Sequence, residues 1–239
     1  MKKNIGDFLF KYRNALGPSL FLAALYLGRP AYPFGSAAWN ILFDVAGVLC
    51  AMLGQLLRIV TIGYDYIERG GKNRQVYASK LVQGGVFAHS RNPLYVGNIL
   101  MAVGFALIFH SSAFYLGVLP LVLFAYSCIV TAEEAFLGRK FGTEYERYCR
   151  QVNRWWPRLQ GWRDTMGNMR FNWRRVLVKE YNTVFVLVLS LAVLKLWSEY
   201  VILGQESQPS SGVLAVGFAT WLASYVFVRS LKKTGVVQA

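Results

Sequence analysis

The 239-residue chain is 55% hydrophobic and 15% aromatic, with only 16% charged residues and a formal net charge of +14. Soluble domains carry about 25% charged residues, so this balance excludes an ordinary soluble domain and points to a membrane protein. The basic residues sit in discrete segments between long apolar runs, the pattern of membrane topology, so no nucleic-acid partner is expected despite the positive charge.

At the N-terminus, Lys2 and Lys3 precede an apolar stretch in the manner of a signal peptide. Lys11, Tyr12, Arg13 and Asn14 interrupt it and no small-residue cleavage site follows, which predicts a retained first helix. A helix needs about 20 apolar residues to cross a bilayer. The candidate spans are 15–28, 38–60, 94–110, 112–131, 182–203 and 212–230. Only His110, Ser111 and Ser112 join the third to the fourth, which predicts a tight antiparallel hairpin. Lysine and arginine crowd the N-terminus, segments 63–93 and 133–181, and the C-terminal tail. Loop 29–37 holds Arg29 alone, and the 110–112 turn and loop 204–211 hold none. The alternation predicts an all-α polytopic bundle of six spans in a bacterial-type inner membrane, with both termini cytoplasmic. The last two candidate spans mark a C-terminal transmembrane hairpin over 181–239, after residues 1–180.

Two of the basic segments are long enough to carry structure. Segment 63–93 contains Arg69-Gly70-Gly71-Lys72 and Gly84-Gly85, which predicts at least two bends. Segment 133–181 reads as an amphipathic helix to about Val152, with Leu137, Phe141, Tyr145, Tyr148 and Val152 recurring at spacings of three and four. Trp155-Trp156-Pro157 ends it, and Trp162 and Trp173 among Arg170, Arg174 and Arg175 predict an element at headgroup level, in contact with anionic lipid. Cys50 and Cys128 lie in apolar runs and Cys149 in a charged helix, so reduced thiols are expected.

Acidic residues are scarce, which makes their positions informative. Glu133 and Glu134 directly follow the apolar run of the fourth span, and Arg91, Asn92 and Tyr95 open the third. A hairpin with almost no loop places the start of one span beside the end of the other, so the two clusters are expected to be neighbours. That convergence has two readings: a ligand pocket beside a helix N-terminus, or an Arg91–Glu133 or Arg91–Glu134 ion pair closing the hairpin. His89 and His110 stand alone, expected on opposite sides of the membrane, so no metal site is predicted. His89 reads as an interfacial polar residue and not a general base. No Ser-His-Asp arrangement, Walker loop or GxGxxG motif is present.

Two stretches carry a resemblance: GVFAHSRNPLYVGN (85–98) and EEAFLGRKFGTEYERYCRQVNRWWP (133–157). Together they resemble the isoprenylcysteine carboxyl methyltransferase and phospholipid methyltransferase superfamily of integral membrane enzymes over about residues 58–158. Its pattern runs R-[HN]-P-x-Y-x-G, an apolar hairpin, a double Glu, FG and two spaced tyrosines. The resemblance implies a membrane methyltransferase core with S-adenosylmethionine as cofactor, held in a cytoplasmic pocket that the amphipathic helix closes. Arg91, Asn92, Pro93, Tyr95 and Gly97 match the first element, Glu133 and Glu134 the double Glu, and Tyr145 and Tyr148 the tyrosines. His89, Asn98 and Leu137, within the matching stretches, join the implied cofactor set. Glu133, Glu134 and Arg91 are the implied catalytic groups. Arg91 is expected to face the cofactor carboxylate, Tyr95 to pack on adenine, and Gly97 to permit close approach.

The chain departs from the family twice. Asn92 stands where many members have histidine; it keeps hydrogen-bonding capacity but cannot titrate. Ile129, Val130 and Thr131 stand where a protein-acid methyltransferase would place an arginine before the Glu pair. This weakens prenylcysteine as substrate and favours an apolar acceptor with a neutral or lipid headgroup, entering from the inner leaflet. The alternatives are an NADPH-dependent membrane reductase of the sterol reductase type and a non-catalytic membrane protein binding anionic lipid.

Overall fold

The computed structural model describes residues 1–65, 76–204 and 209–234. The Arg69-Gly70-Gly71-Lys72 bend expected from the sequence lies outside the described residues. Among them the fold is helical without strands: α1 Lys2–Leu27, α2 Ala37–Tyr64, α3 Pro93–Phe109, α4 Leu119–Phe141, α5 Thr143–Gln151, α6 Trp162–Gly167, α7 Trp173–Leu203 and α8 Ser211–Lys233.

Every expected span falls within or nearly within a helix, but four helical stretches are long and apolar enough to cross a membrane. These are Ala37–Tyr64, Phe114–Phe141 (α4 with the π-turn that leads into it), Trp173–Leu203 and Ser211–Lys233. The short 15–28 span is part of one continuous α1 that begins at Lys2 and carries Lys3, Lys11 and Arg13. α3 is apolar but has 17 residues, about 26 Å of helix against a hydrocarbon core of about 30 Å. Among the described residues, length and composition thus mark four of the six expected spans, and α1 and α3 fall short of those measures.

Packing divides the bundle into two groups. α3 makes its most extensive contact with α2, and α7 lies against both. The reason is side-chain size: a Cβ on Gly97 would stand 2.7 Å from the Gly54 carbonyl oxygen, and one on Gly54 would stand 2.5 Å from that of Gly97. Small residues let helices approach until their backbones nearly touch. α4 packs chiefly on α1, and only slightly on α3. The α3–α4 hairpin is therefore joined at its turn without being packed along its length. At that turn Ala24, Ala106, Phe109, Phe114 and Leu194 form a buried cluster drawn from both groups. His110 closes α3 in a left-handed conformation (φ 50°) and bonds through Nε2 to Asp44, which also receives Lys195 Nζ at 2.6 Å. The bundle is thus sealed at the turn end and open at the end carrying Arg91 and Glu133.

The amphipathic helix expected over 133–152 is two helices. α4 runs through Glu133 and Glu134 to Phe141, Gly142 takes φ 49°, and α5 starts afresh at Thr143. A side chain at that φ would be strained, so glycine sets the break. The consequence is functional: both glutamates ride on the long apolar helix, while Tyr145 and Tyr148 ride on a separate element folded over it. α7 begins at Trp173, so it runs through the 180/181 division without interruption.

Candidate functional site

The motif at 89–98 is a helix start with a strap tied across it. Pro93 occupies the first turn of α3, where its missing N–H costs nothing. Ahead of it, residues 89–92 run beside the chain that leaves α5. Arg91 N donates to the Asn153 carbonyl at 2.9 Å, Asn92 Nδ2 to the Arg154 carbonyl at 3.1 Å, and Ser90 Oγ to the Trp155 carbonyl at 3.0 Å. Arg158 N donates to the His89 carbonyl at 2.9 Å. His89 is buried, its ring nitrogens bonded to the Arg158 carbonyl and to Thr165 Oγ1, and its ring lies beside Trp162. Beneath the strap, Tyr148 Oη donates to the Phe87 carbonyl at 2.7 Å.

Across the gap, α4 presents the glutamates. Glu134 Oε2 meets Arg154 Nη2 at 2.9 Å, and its Oε1 lies 3.5 Å from Arg91 Nη2 and 3.4 Å from Asn92 Nδ2. Glu133 Oε1 accepts from Tyr95 Oη at 2.7 Å and lies 3.9 Å from Arg13 of α1. Tyr95 stacks obliquely on Tyr126, centroids 5.4 Å apart. The expected proximity of the two clusters is therefore present, and the ion pair of Arg91 is with Glu134. Burial alone would pull the Arg91 guanidinium down, but Glu134, Cys149 and Tyr145 together outweigh it and raise it. Burial first, and then Glu134, pushes the Tyr145 phenol far up; burial does the same to Tyr148. Both remain neutral donors in the working pH range.

Between the two helix groups lies a cavity of about 1040 Å³, at the upper end of small-molecule sites. Arg91, Asn92, Pro93, Tyr95, Asn98, Glu133, Glu134, Leu137, Tyr145 and Tyr148 all border it. His89 and Gly97 do not: His89 anchors the strap, and Gly97 faces α2, where a Cβ would stand 2.6 Å from Arg58 Cγ. Along α4 the wall extends from Leu137 to Val122, about 22 Å of helix.

Several wall residues escaped the sequence reading. Arg13 comes from α1, and Arg175 and Lys179 from α7; Arg154, on the strap, holds Glu134 without bordering the cavity. Arg58 had a visible signal, an arginine inside an apolar helix, which marks a site by default. Its guanidinium is held by Glu180 and donates Nη1 to Asn98 Oδ1 at 2.6 Å. The others carried no local signal, because only the pairing of α1 with α4 and of α7 with α2 and α3 brings them to the cavity. Among the described residues no His/Cys/Asp/Glu group suits a metal.

Residues 43–144 match the family model for phospholipid methyltransferase. The chain is 34% identical over 131 residues to the protein-S-isoprenylcysteine O-methyltransferase of Schizosaccharomyces pombe, covering 50% of this chain and 52% of the relative. It therefore spans about half the length of that relative. An uncharacterized protein of Haemophilus influenzae is 34% identical over 62 residues, 26% of this chain and 98% of its own length. No solved structure matches the chain. The segment that matches phospholipid methyltransferases, 43–144, thus carries most of the motif residues gathered on one cavity between apolar helices.

Proposed function

We propose that this chain is an integral membrane methyltransferase that uses S-adenosylmethionine to methylate a lipophilic acceptor reaching the cavity from the inner leaflet. The observation that carries the reading is the cavity itself, bordered at one end by the motif arginine, the Glu pair and both tyrosines, and extending along α4 into the apolar bundle. The topology follows the charge pattern, with both termini cytoplasmic and the basic 139–179 region on anionic lipid of the inner membrane.

The cofactor fits the donor set. Arg91 Nε is buried without a partner, so the wall holds a donor suited to a carboxylate. Glu134, fixed by Arg154 and Arg91, is placed to accept from hydroxyl or ammonium groups. Tyr95 and Leu137 offer flat and apolar surface. When bound, the cofactor supplies a sulfonium methyl group. Such a transfer needs orientation and exclusion of water more than a special nucleophile. α5 and the strap provide both by closing over the site. Of the two carboxylates, Glu133 is the base for a hydroxyl or amine acceptor: Oε1 is held by Tyr95, which directs Oε2 to take the proton. Glu134 is committed to two guanidinium groups and serves binding.

Calorimetry of S-adenosylhomocysteine binding to the detergent-solubilised full chain tests the reading. Wild type is expected to bind, with Glu134→Gln weakened about tenfold or more through loss of charge-assisted bonds. Absence of binding by the wild type, or equal binding by the variant, overturns it.

A further inference from the structure

Transfer of the sulfonium methyl leaves S-adenosylhomocysteine, a zwitterion that carries a nucleoside, and this product has to leave before the next turnover. Hydrocarbon is closed to it, because taking its charges and hydrogen-bonding groups out of water is costly. The turn end of the bundle is sealed by the cluster of Ala24, Phe109, Phe114 and Leu194 and by the bonds of His110 and Lys195 to Asp44. The way out is therefore at the end that carries Arg91 and Glu133. There the cavity is roofed by three pieces of chain: the strap, α5 and the run of residues 76–84.

The three differ in how they are held. The strap is laced to residues 89–92 by four hydrogen bonds that use its own backbone. α5 is pinned by the buried bond from Tyr148 to the Phe87 carbonyl. The third piece is built otherwise: Val76 to Val82 border the cavity without interruption, yet form neither helix nor strand. Leu81 packs on the cluster of Tyr145, Tyr148 and Val152. Two polar ties join the run to the helices at exposed points. Lys140 Nζ of α4 donates to the Ala78 carbonyl and lies 5.1 Å from the centre of the Tyr77 ring. Gln83 Nε2 donates to Glu144 Oε1 of α5 at 2.8 Å. Water competes for both partners of an exposed tie, so each is modest and breaks readily. Gly84 and Gly85 end the run, Gly85 at φ 54°, a pair suited to absorb a change of direction.

We propose that residues 76–84 are a cover that lifts about Gly84 and Gly85 to exchange the cofactor for S-adenosylhomocysteine, with Lys140 and Gln83 as its latch. This rests on the methyltransferase reading and adds a separate door for the cofactor, away from the acceptor's path through the membrane. Neither Lys140 nor Gln83 borders the cavity, so the latch joins cover to helix without gripping the ligand. It is made equally in the empty and the filled site, and its loss raises the open fraction of both by the same factor. Entry and release then quicken together while Kd stays in place. A segment that gripped the ligand would behave otherwise, since weakening it would speed release alone.

The test measures the association and dissociation rates of S-adenosylhomocysteine on the immobilised full chain in neutral detergent, by surface plasmon resonance. Lys140→Met is expected to raise both rates by about three- to tenfold, the value of one exposed charge-assisted bond with its ring contact, and to leave Kd within about twofold of wild type. Gln83→Ala, which breaks the other tie, is expected to raise both rates by about twofold to fivefold. Arg139→Met removes an exposed charge from the neighbouring position of α4 and is expected to change neither rate. Unchanged rates in both latch variants overturn the proposal. So does faster release at an unchanged association rate, which makes the run a binding wall and not a cover. A change in Arg139→Met equal to that in Lys140→Met marks surface charge alone and also overturns it. Failure of the wild type to bind S-adenosylhomocysteine at all overturns the methyltransferase reading instead.

Discussion

The ion pair between Arg58 and Glu180 is one of the ties that fix α7 to α2, and its removal has a calculable cost. Arg58 Nε and Nη2 meet the two carboxylate oxygens of Glu180 at 3.0 and 2.8 Å. The residues are 5% and 1% exposed. Glu180→Leu removes the anion and strands a guanidinium in an apolar bundle. Breaking such a pair from one side costs about 3–5 kcal/mol. A domain of this size shifts its melting temperature by about 2–4 °C per kcal/mol, so the expected loss is about 6–20 °C. Arg58→Leu combined with Glu180→Leu removes both charges and their desolvation together. Replacing a whole buried pair by apolar groups is neutral or stabilising, so most of the loss should return. The remainder, about 1 kcal/mol for each orphaned group, falls on Asn98 Oδ1 and the Leu94 carbonyl, both served by Nη1, and on Gln55 Nε2, which donates to Glu180. Thermal melts followed by far-ultraviolet circular dichroism in a neutral detergent compare the three proteins. A double variant that melts at or below Glu180→Leu refutes the argument, because it would mean that the stranded charge is not what destabilises the single variant.

Two further outcomes follow from packing and from the strap. Gly97→Ala forces a methyl group against the Gly54 carbonyl and Arg58, an overpacking cost of about 1–3 kcal/mol; Gly117→Ala, which meets nothing within 4 Å, should melt like wild type in the same assay. Asn92→Ala removes the donor to the Arg154 carbonyl and should lower protection of the amides of 153–156 and 158 in hydrogen exchange by about 1–2 kcal/mol, with protection of α2 unchanged.

The motif at 89–98 shows how far sequence carried the site. Its residues divide between cavity and scaffold in a way the motif does not encode. Asn92 does both, bordering the cavity while holding the strap. Its place in a motif where histidine is common is understandable, since the bond to the Arg154 carbonyl needs a donor and not a titratable group. His89 and Gly97 sit in the same ten residues yet serve anchoring and helix contact. A one-dimensional pattern records that residues are kept together, whereas their division between wall and support depends on which face each turn presents.

What sequence alone determined was the helical membrane class, the position of every long helix, and the meeting of Arg91, Asn92 and Tyr95 with Glu133 and Glu134. These follow from hydrophobic run length and from chain connectivity, because a short turn constrains where its two ends can go. Tertiary structure decided the rest. The glycine contacts that draw α3 onto α2, and the close packing of α4 on α1, part the hairpin's two helices and open the cavity between them. Arg13, Arg58, Arg175 and Lys179 reach that cavity from α1, α2 and α7, helices far apart in the chain. Which helices pack together depends on the fit of side chains at interfaces, and residues brought together that way leave no spacing for a sequence to display.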